Sequence, residues 1–310
     1  MGYSVLMTSS NDASANPALP YQARGSLKGR TILMSGGSRG IGLAIATRAA
    51  RDGANIVIMA KTGEPHPKLQ GTVFTAAEQL EAAGAQALPL VGDVRNDGDV
   101  AAAVAAAVER FGGIDVVVNN ASAIDLSRTD AIDMKRYDLM QDINVRGTFL
   151  LSKLALPALR KSSNGHILTL SPPLNLDPKW AGMHLAYTMA KYGMSLTTLG
   201  LAEELKNDGV WVNSLWPCTL IDTAAIRNMP GGAQIAQAAR GPEIMADAAH
   251  AVLTGAHLTA DSGGSASSSS ASKTGNFYTD EQVLRAAGVS DFRPYSLGAP
   301  EEKLVSDIFL

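Results

Sequence analysis

Tyr187 and Lys191 stand four positions apart in a stretch, Ala186 to Asn207, that is patterned as a helix, so their side chains share one face. A free phenol titrates near ~10 and is a poor base at neutral pH, but a nearby ammonium favours the phenolate. Such a pair can exchange a proton with an alcohol or with a carbonyl oxygen. On its own the spacing also fits an ordinary helix-surface pair, so its meaning depends on what else the chain brings to it.

What it brings is a glycine turn, Ser35-Gly36-Gly37-Ser38-Arg39-Gly40-Ile41-Gly42, set between an apolar run (Thr31 to Met34) and a helical pattern (Leu43 to Ala50). Gly36 can take backbone angles closed to other residues, and Gly40 lets the chain approach a ligand closely. Gly42 lies inside the new helix, where the missing side chain permits tight packing on a sheet. The first amides of that helix have no partner within it and sit at its positive end, which suits a phosphate. An ordinary tight turn is the competing reading. The strand before and the helix after favour a pyrophosphate site.

The elements that must position these groups alternate along the chain. Strands are expected at Asn55–Ala60, Gln86–Val91, Ile114–Val118, His166–Leu170, Val210–Leu215 and Asn276–Tyr278, besides the one before the glycine turn. Helical patterns cover Thr72–Ala83, Val100–Phe111, Asp133–Lys161 and Ile244–Leu253. Short links between strand and helix, and strands without polar alternation, predict an α/β fold: a doubly wound parallel sheet of the Rossmann type, in a single domain. Ligands in such sheets bind at the carboxyl ends of the strands, where the strand order reverses. Residues 1–26, rich in Ser, Ala, Asn and Pro, read as a disordered tail, and 27–310 as one dinucleotide-binding domain. A flexible loop is expected over 257–274, where Asp261 to Lys273 is low in complexity.

The 310 residues are 46% apolar and 18% charged, which fits a soluble protein with a large core. A net charge of −3 gives no electrostatic reason to expect nucleic acid as a partner. No apolar run approaches the ~20 residues of a membrane span. The single cysteine, Cys218, excludes an internal disulfide and fits a reducing compartment, so the expected location is cytoplasmic. With no histidine adjacent in sequence it reads as an inert buried thiol. The five histidines have no metal-ligand spacing, and no metal is expected.

In order along the chain, Ser35 to Gly42, Asn119-Asn120-Ala121-Ser122, Asn144-Val145-Arg146-Gly147 and Tyr187 to Lys191 resemble the motifs of the short-chain dehydrogenase/reductase family. Ser35 replaces the family's Thr, and Ser122 replaces the last Gly of Asn-Asn-Ala-Gly. The resemblance covers roughly residues 27–278. Pro65-His66-Pro67-Lys68, Ser171-Pro172-Pro173-Leu174-Asn175-Leu176 and Tyr187 to Ser195 look like the hydroxysteroid dehydrogenase-like branch. Members of that branch can carry a C-terminal sterol-carrier domain, for which this chain has no length.

The resemblance implies that Tyr187 is the proton donor or acceptor, and that Lys191 lowers its pKa and binds the nicotinamide ribose. It implies that Asn144 holds a water in a proton relay. Ser35, Gly36, Ser38, Arg39, Gly40 and Ile41 would line the dinucleotide, Asp93 and Val94 the adenine, Asn120 and Ala121 the adenosine ribose, with Ile221 near the nicotinamide. The family's helper serine falls here on Leu174, and Ser171, the nearest strand-end serine, takes its place only with a short insertion. A plain strand-end hydroxyl is the other reading of Ser171.

The second strand closes without an acidic side chain to hold an adenosine ribose. Lys61 follows it, and Arg39 in the turn is a second cation, so NADP is expected over NAD. The apolar stretch Thr219 to Arg240 is expected to cover a lipophilic small-molecule substrate. The family suggests a homodimer or homotetramer. Two functions follow: hydride transfer to or from a carbonyl or secondary alcohol carbon, or a dinucleotide-binding sensor or scaffold without turnover.

Overall fold

The computed structural model describes residues 19–65, 71–229, 231–258 and 273–310. Its sheet is laid down by strands whose alternate residues serve two cores. In β1 (Thr31–Ser35), Ile32 and Met34 face one side and Leu33 the other; in β2 (Asn55–Ala60), Ile56 and Ile58 oppose Val57 and Met59. β3 (Gln86–Val91), β4 (Val116–Asn119), β5 (His166–Thr169), β6 (Trp211–Trp216) and β7 (Phe277–Thr279) complete one parallel sheet of seven strands, in the order β3-β2-β1-β4-β5-β6-β7. The expected doubly wound fold is therefore present. The order reverses between β1 and β4, and a crevice opens at their carboxyl ends.

One face is covered by α1 (Gly40–Ala50), α2 (Val73–Ala82), α10 (Glu243–Thr254) and α11 (Asp280–Ala286), through residues such as Ala46, Leu80, Val252 and Leu284. The other is covered by α3 (Asp97–Phe111), α5 (Gly147–Leu159) and α7 (Leu185–Glu204), through Ala103, Leu151 and Leu201. α2 opens on a capping box in which Thr72 and Thr75 satisfy each other's amides, and α3 closes on Gly112 at φ 84°. Shorter helices, α4 (Met134–Met140), α6 (Pro178–Met183), α8 (Ala224–Arg227) and α9 (Gly232–Gln237), ring the carboxyl edge.

The structure departs from the sequence pattern in three places. The helical stretch Asp133–Lys161 is not one helix: a π-helical turn, Gln141–Arg146, joins α4 to α5. Within residues 19–26, expected in the tail, Tyr21 is anchored: it is buried, its hydroxyl lies 2.9 Å from His250 Nδ1, and His250 Nε2 lies 2.8 Å from Asp52 Oδ2. Residues 1–18 lie outside the described residues, as do 259–272 of the expected loop. His257 and Leu258 of that loop end a 3-10 turn (Ala256–Leu258), and Thr274 Oγ1 accepts the Val212 amide at 2.9 Å.

Gly42 and Gly200 are helical glycines in opposite surroundings. A Cβ on Gly42 would stand 2.5 Å from Asn120 Nδ2 and 2.8 Å from the Gly36 carbonyl, whereas nothing lies within 4 Å at Gly200. Gly42→Ala is expected to destabilise by about 1–3 kcal/mol through overpacking, and Gly200→Ala to stabilise by about 0.5–1 kcal/mol. Urea unfolding of both variants measures the difference.

Candidate active site

The crevice is built by two loops that fix each other. After β1, Gly36 turns at φ 74° and donates its amide to the Met59 carbonyl at 2.8 Å. After β4, Asn120 Nδ2 donates back to the carbonyls of Gly36 (2.8 Å) and Ser35 (3.2 Å), while Ser35 Oγ accepts the amides of Asn120 (3.3 Å) and Ala121 (3.2 Å). A Cβ on Gly36 would meet Ala121 Cα at 2.9 Å. Only glycine fits there, both for the sign of φ and for the space. Ser35 itself is buried and braces the loops rather than lining the crevice.

A cavity of about 480 Å³ runs along this edge. Gly36, Ser38, Arg39, Gly40 and Ile41 form its floor, Asn120 and Ala121 one wall, and Lys61, Asp93 and Val94 the far end. α1 begins here with no side-chain cap at Arg39 and no acidic residue in its first turn, leaving its first amides to an anion. Arg39 Nη2 donates to Thr62 Oγ1 (3.0 Å) and to the Gly71 carbonyl (2.9 Å), while its buried Nε has no partner. Burial lowers the pKa of Arg39. Lys61 Nζ lies 3.2 Å from Asp93 Oδ2; hydrogen bonds from Arg95 and the Lys61 ammonium hold the Asp93 carboxyl down to about 2. The free helix amides, the glycine floor and the two lining cations, Arg39 and Lys61, fit an elongated dianionic ligand such as a nicotinamide dinucleotide.

A second cavity, of about 380 Å³, adjoins the first; Ile41, Asn120, Ser122, Thr223 and Ala225 line both. Tyr187 and Lys191 from α7 and Ile221 from the segment after β6 line this second space. Lys191 is buried, donates to the Leu170 carbonyl at 2.8 Å and places Nζ 5.0 Å above the Trp216 ring. Spacing alone predicts a phenol made acidic by its neighbour. In the structure burial dominates both groups: it raises the pKa of Tyr187 and lowers that of Lys191 to about 7. The site thus holds a phenol, which is a proton donor.

Besides Ser35, two more expected site residues stand apart from the cavities. Asn144, in the π-helical turn, accepts the Ala123 amide at 2.7 Å and donates to the Ala123 carbonyl at 3.0 Å, so its side chain braces a loop. Ser171 is fully buried; its hydroxyl lies 2.8 Å from Ser214 Oγ, which in turn donates to Thr198 Oγ1, and it lines neither cavity. The two prolines that follow Ser171 lead the chain out of β5 with this hydroxyl on the inner side. Cys218 is held as a thiol, burial pushing it up to about 12. Among the described residues no group of three or more His, Cys, Asp or Glu is placed to hold a metal ion, and no helix is long and apolar enough to cross a membrane.

Four residues near the C-terminus also line the second cavity and carry no motif that marks them: Val305, Ser306, Asp307 and Ile308. The next residue, Phe309, fills an aromatic box, its ring centroid 6.2 Å from Tyr187, 5.9 Å from Trp216, 5.3 Å from Tyr192 and 6.0 Å from Trp180. It does so at φ 78°, a left-handed conformation that costs a non-glycine residue about 1–2 kcal/mol. Burying the ring offsets that cost.

The short chain dehydrogenase family model matches residues 30–230, which span the glycine turn, both Asn motifs and the Tyr187–Lys191 pair. The chain belongs to the short-chain dehydrogenase family. Hydroxysteroid dehydrogenase-like protein 2 of Xenopus laevis is 52% identical over 286 residues, covering 92% of this chain and 64% of its own length. The Homo sapiens protein of that name is 50% identical over 286 residues, with the same coverage. This chain therefore spans only 64% of the length of those relatives. A crystal structure of a short chain dehydrogenase from Mycobacterium thermoresistibile shares 50% identity at TM-score 0.81, covering 92% of this chain and 96% of that one. That of a candidate dehydrogenase from Xanthomonas campestris shares 49% at TM-score 0.82, covering 92% and 99%.

The buried Ser171 hydroxyl distinguishes a helper of catalysis from a structural group. Ser171→Ala is expected to cost about 1 kcal/mol of stability, one net hydrogen bond. If the protein reduces ketones, steady-state kinetics is expected to show kcat lowered less than about threefold, against the 10²–10³-fold loss that follows removal of an oxyanion donor.

Proposed function

We propose that the protein is an NADP-dependent oxidoreductase acting between a carbonyl and a secondary alcohol of a lipophilic small molecule. The observation that carries this reading is the placement of Tyr187 and Lys191 in an apolar cavity that opens into the glycine-turn cavity. Gly36, Gly40 and the first amides of α1 would hold the pyrophosphate, with Asn120 and Ala121 against the adenosine ribose. Arg39 and Lys61 would take the 2′-phosphate, and Asp93 and Val94 would border the adenine. Ile221 and Lys191, which line the second cavity, would border the nicotinamide riboside. Bound there, the nicotinamide supplies or accepts the hydride.

Everything else falls to side chains. Tyr187, kept as a phenol by burial, donates its proton to the carbonyl oxygen during reduction; in oxidation the step reverses, its phenolate taking the alcohol proton. Lys191 orients and charges that corner of the site, and Asn144 and Ser171 support the loops around it. Leu126, Ile226, Met229, Ile235 and Met245 exclude water from the substrate, which supports a lipophilic ligand. Exposed Phe149 on α5 and Leu196 and Leu199 on α7 support a homodimer or homotetramer packed through these helices. A cytoplasmic setting, suggested by the single thiol, belongs to the same proposal.

Tyr187→Phe keeps the ring in its box and removes the proton. It is expected to lower turnover of ketones by NADPH about 10²–10⁴-fold, with NADPH affinity, read by fluorescence, unchanged. A sensor or scaffold would bind NADPH and turn over nothing in either form. For cofactor choice, Lys61→Ala is expected to weaken NADPH binding about tenfold, the loss of one charge-assisted contact, and to leave NADH binding as it was. Equal effects on both nucleotides would show that Lys61 does not read the phosphate.

A further inference from the structure

The segment after the last helix comes back to the reaction cavity as a strap, and it arrives tightly held. The Val305 amide donates to the Ala238 carbonyl at 3.0 Å, and the Val305 carbonyl accepts the Leu220 amide at 2.9 Å. The Asp307 amide donates to the Cys218 carbonyl at 3.0 Å, and Trp216 Nε1 donates to the Ile308 carbonyl at 2.9 Å. Buried Arg240 reaches Glu301 at 3.3 Å and ties down the start of the strap. Trp216 thus carries the strap on its indole N–H and the Lys191 ammonium on its ring face, while Phe309 stacks on Tyr187 with an interplanar angle of 28°. Between these two contacts stands Asp307, whose carboxyl accepts the Ile308 amide at 2.7 Å and lines the cavity with Tyr187 and Lys191.

We propose that Asp307 is a positioning residue that sets the protonation of the Tyr187–Lys191 pair, holding Lys191 as an ammonium and Tyr187 as a phenol. This rests on the proton-handling role proposed above for the pair. The groups facing Asp307 are Lys191 and Tyr187 from α7, Asp280 from the start of α11 and Cys218 from the segment after β6. Arg240 lowers the pKa of Asp280. Asp307 shares the cavity with both members of the pair and bears on each. Burial pushes the Asp307 carboxyl up to about 7, with the Asp280 carboxylate adding to the rise and the Lys191 ammonium opposing it. Once ionised, its carboxylate opposes loss of the Lys191 proton and penalises a Tyr187 phenolate. In reduction the Tyr187 hydroxyl would give its proton to the substrate oxygen, leaving a phenolate to be reprotonated from solvent, while a bound reduced nicotinamide would supply the hydride.

Carbon-13 NMR of the whole protein labelled at aspartate carboxyls tests the coupling without a substrate. The Asp307 signal, identified by its loss in Asp307→Glu, is expected to titrate near 7, and about one pH unit higher in Lys191→Met, where the stabilising ammonium is gone. Titration in the ordinary carboxylate range near ~4, or at the same pH in wild type and Lys191→Met, would overturn the proposal. NADPH affinity measured against pH gives a second reading. Wild-type affinity is expected to fall as the pH rises through the Lys191 titration near 7; Asp307→Asn is expected to move that fall about one pH unit lower, and Asp307→Glu to restore it. A superimposed Asp307→Asn profile also overturns the proposal. Absence of NADPH binding in the wild type would defeat the proposed function instead, and the carboxyl titration would still decide the role of Asp307.

Discussion

The mutual grip of the Asn120 amide and the glycine turn is the constraint on which the site depends. A parallel sheet whose order reverses between β1 and β4 necessarily leaves a gap at their carboxyl ends, because the two connections leave in opposite directions. Left alone, such a gap would be two loops with unpaired carbonyls. Asn120 fills it with donors to Ser35 and Gly36, and Ser35 answers with an acceptor for two amides. The lock works only because Gly36 and Gly42 have no side chains, a Cβ at either position running into Asn120 or Ala121. Close packing and ligand access therefore come from the same residues.

Much of the fold was legible, because buried parallel strands leave unbroken apolar runs and each run was bounded by glycine. The seven strands were found within two residues of their observed bounds. What the pattern missed has physical causes. The π-helical turn at Gln141–Arg146 keeps an apolar, helical composition throughout, and nothing in residue type separates an i to i+5 turn from an α-helical one. Tyr21 sits in a stretch of Ser, Asn and Pro whose composition is that of a tail, yet one buried hydroxyl against His250 fixes it to α10.

The site was legible to a comparable degree. Gly36, Ser38, Arg39, Gly40 and Ile41 of the glycine turn line the two cavities with Lys61, Asp93, Asn120, Tyr187 and Lys191. Ser171 and Asn144 share the motifs but turn their polar atoms into the scaffold, a choice made by tertiary partners that sequence does not name. The sign of the electrostatics was also hidden. Spacing says that an ammonium lies near a phenol, but not that both are buried, and burial acts on each against its charged form. Asp307 and Phe309 had no signal at all, since an acidic and an aromatic residue far along the chain could lie anywhere on the surface.

The placement of Phe309 has a consequence for how the molecule is assembled. Its partner Tyr187 is roughly 120 positions earlier, a long-range closure that contributes late in folding because a large loop must be ordered first. The sheet from β1 to β6 and the glycine turn can form before that closure, and with them a dinucleotide cavity, whereas the aromatic box stays open until the chain beyond β7 has returned. Completion of the glycine-turn cavity should thus precede completion of the aromatic box during refolding, with the interval set by how quickly one phenyl ring finds its slot.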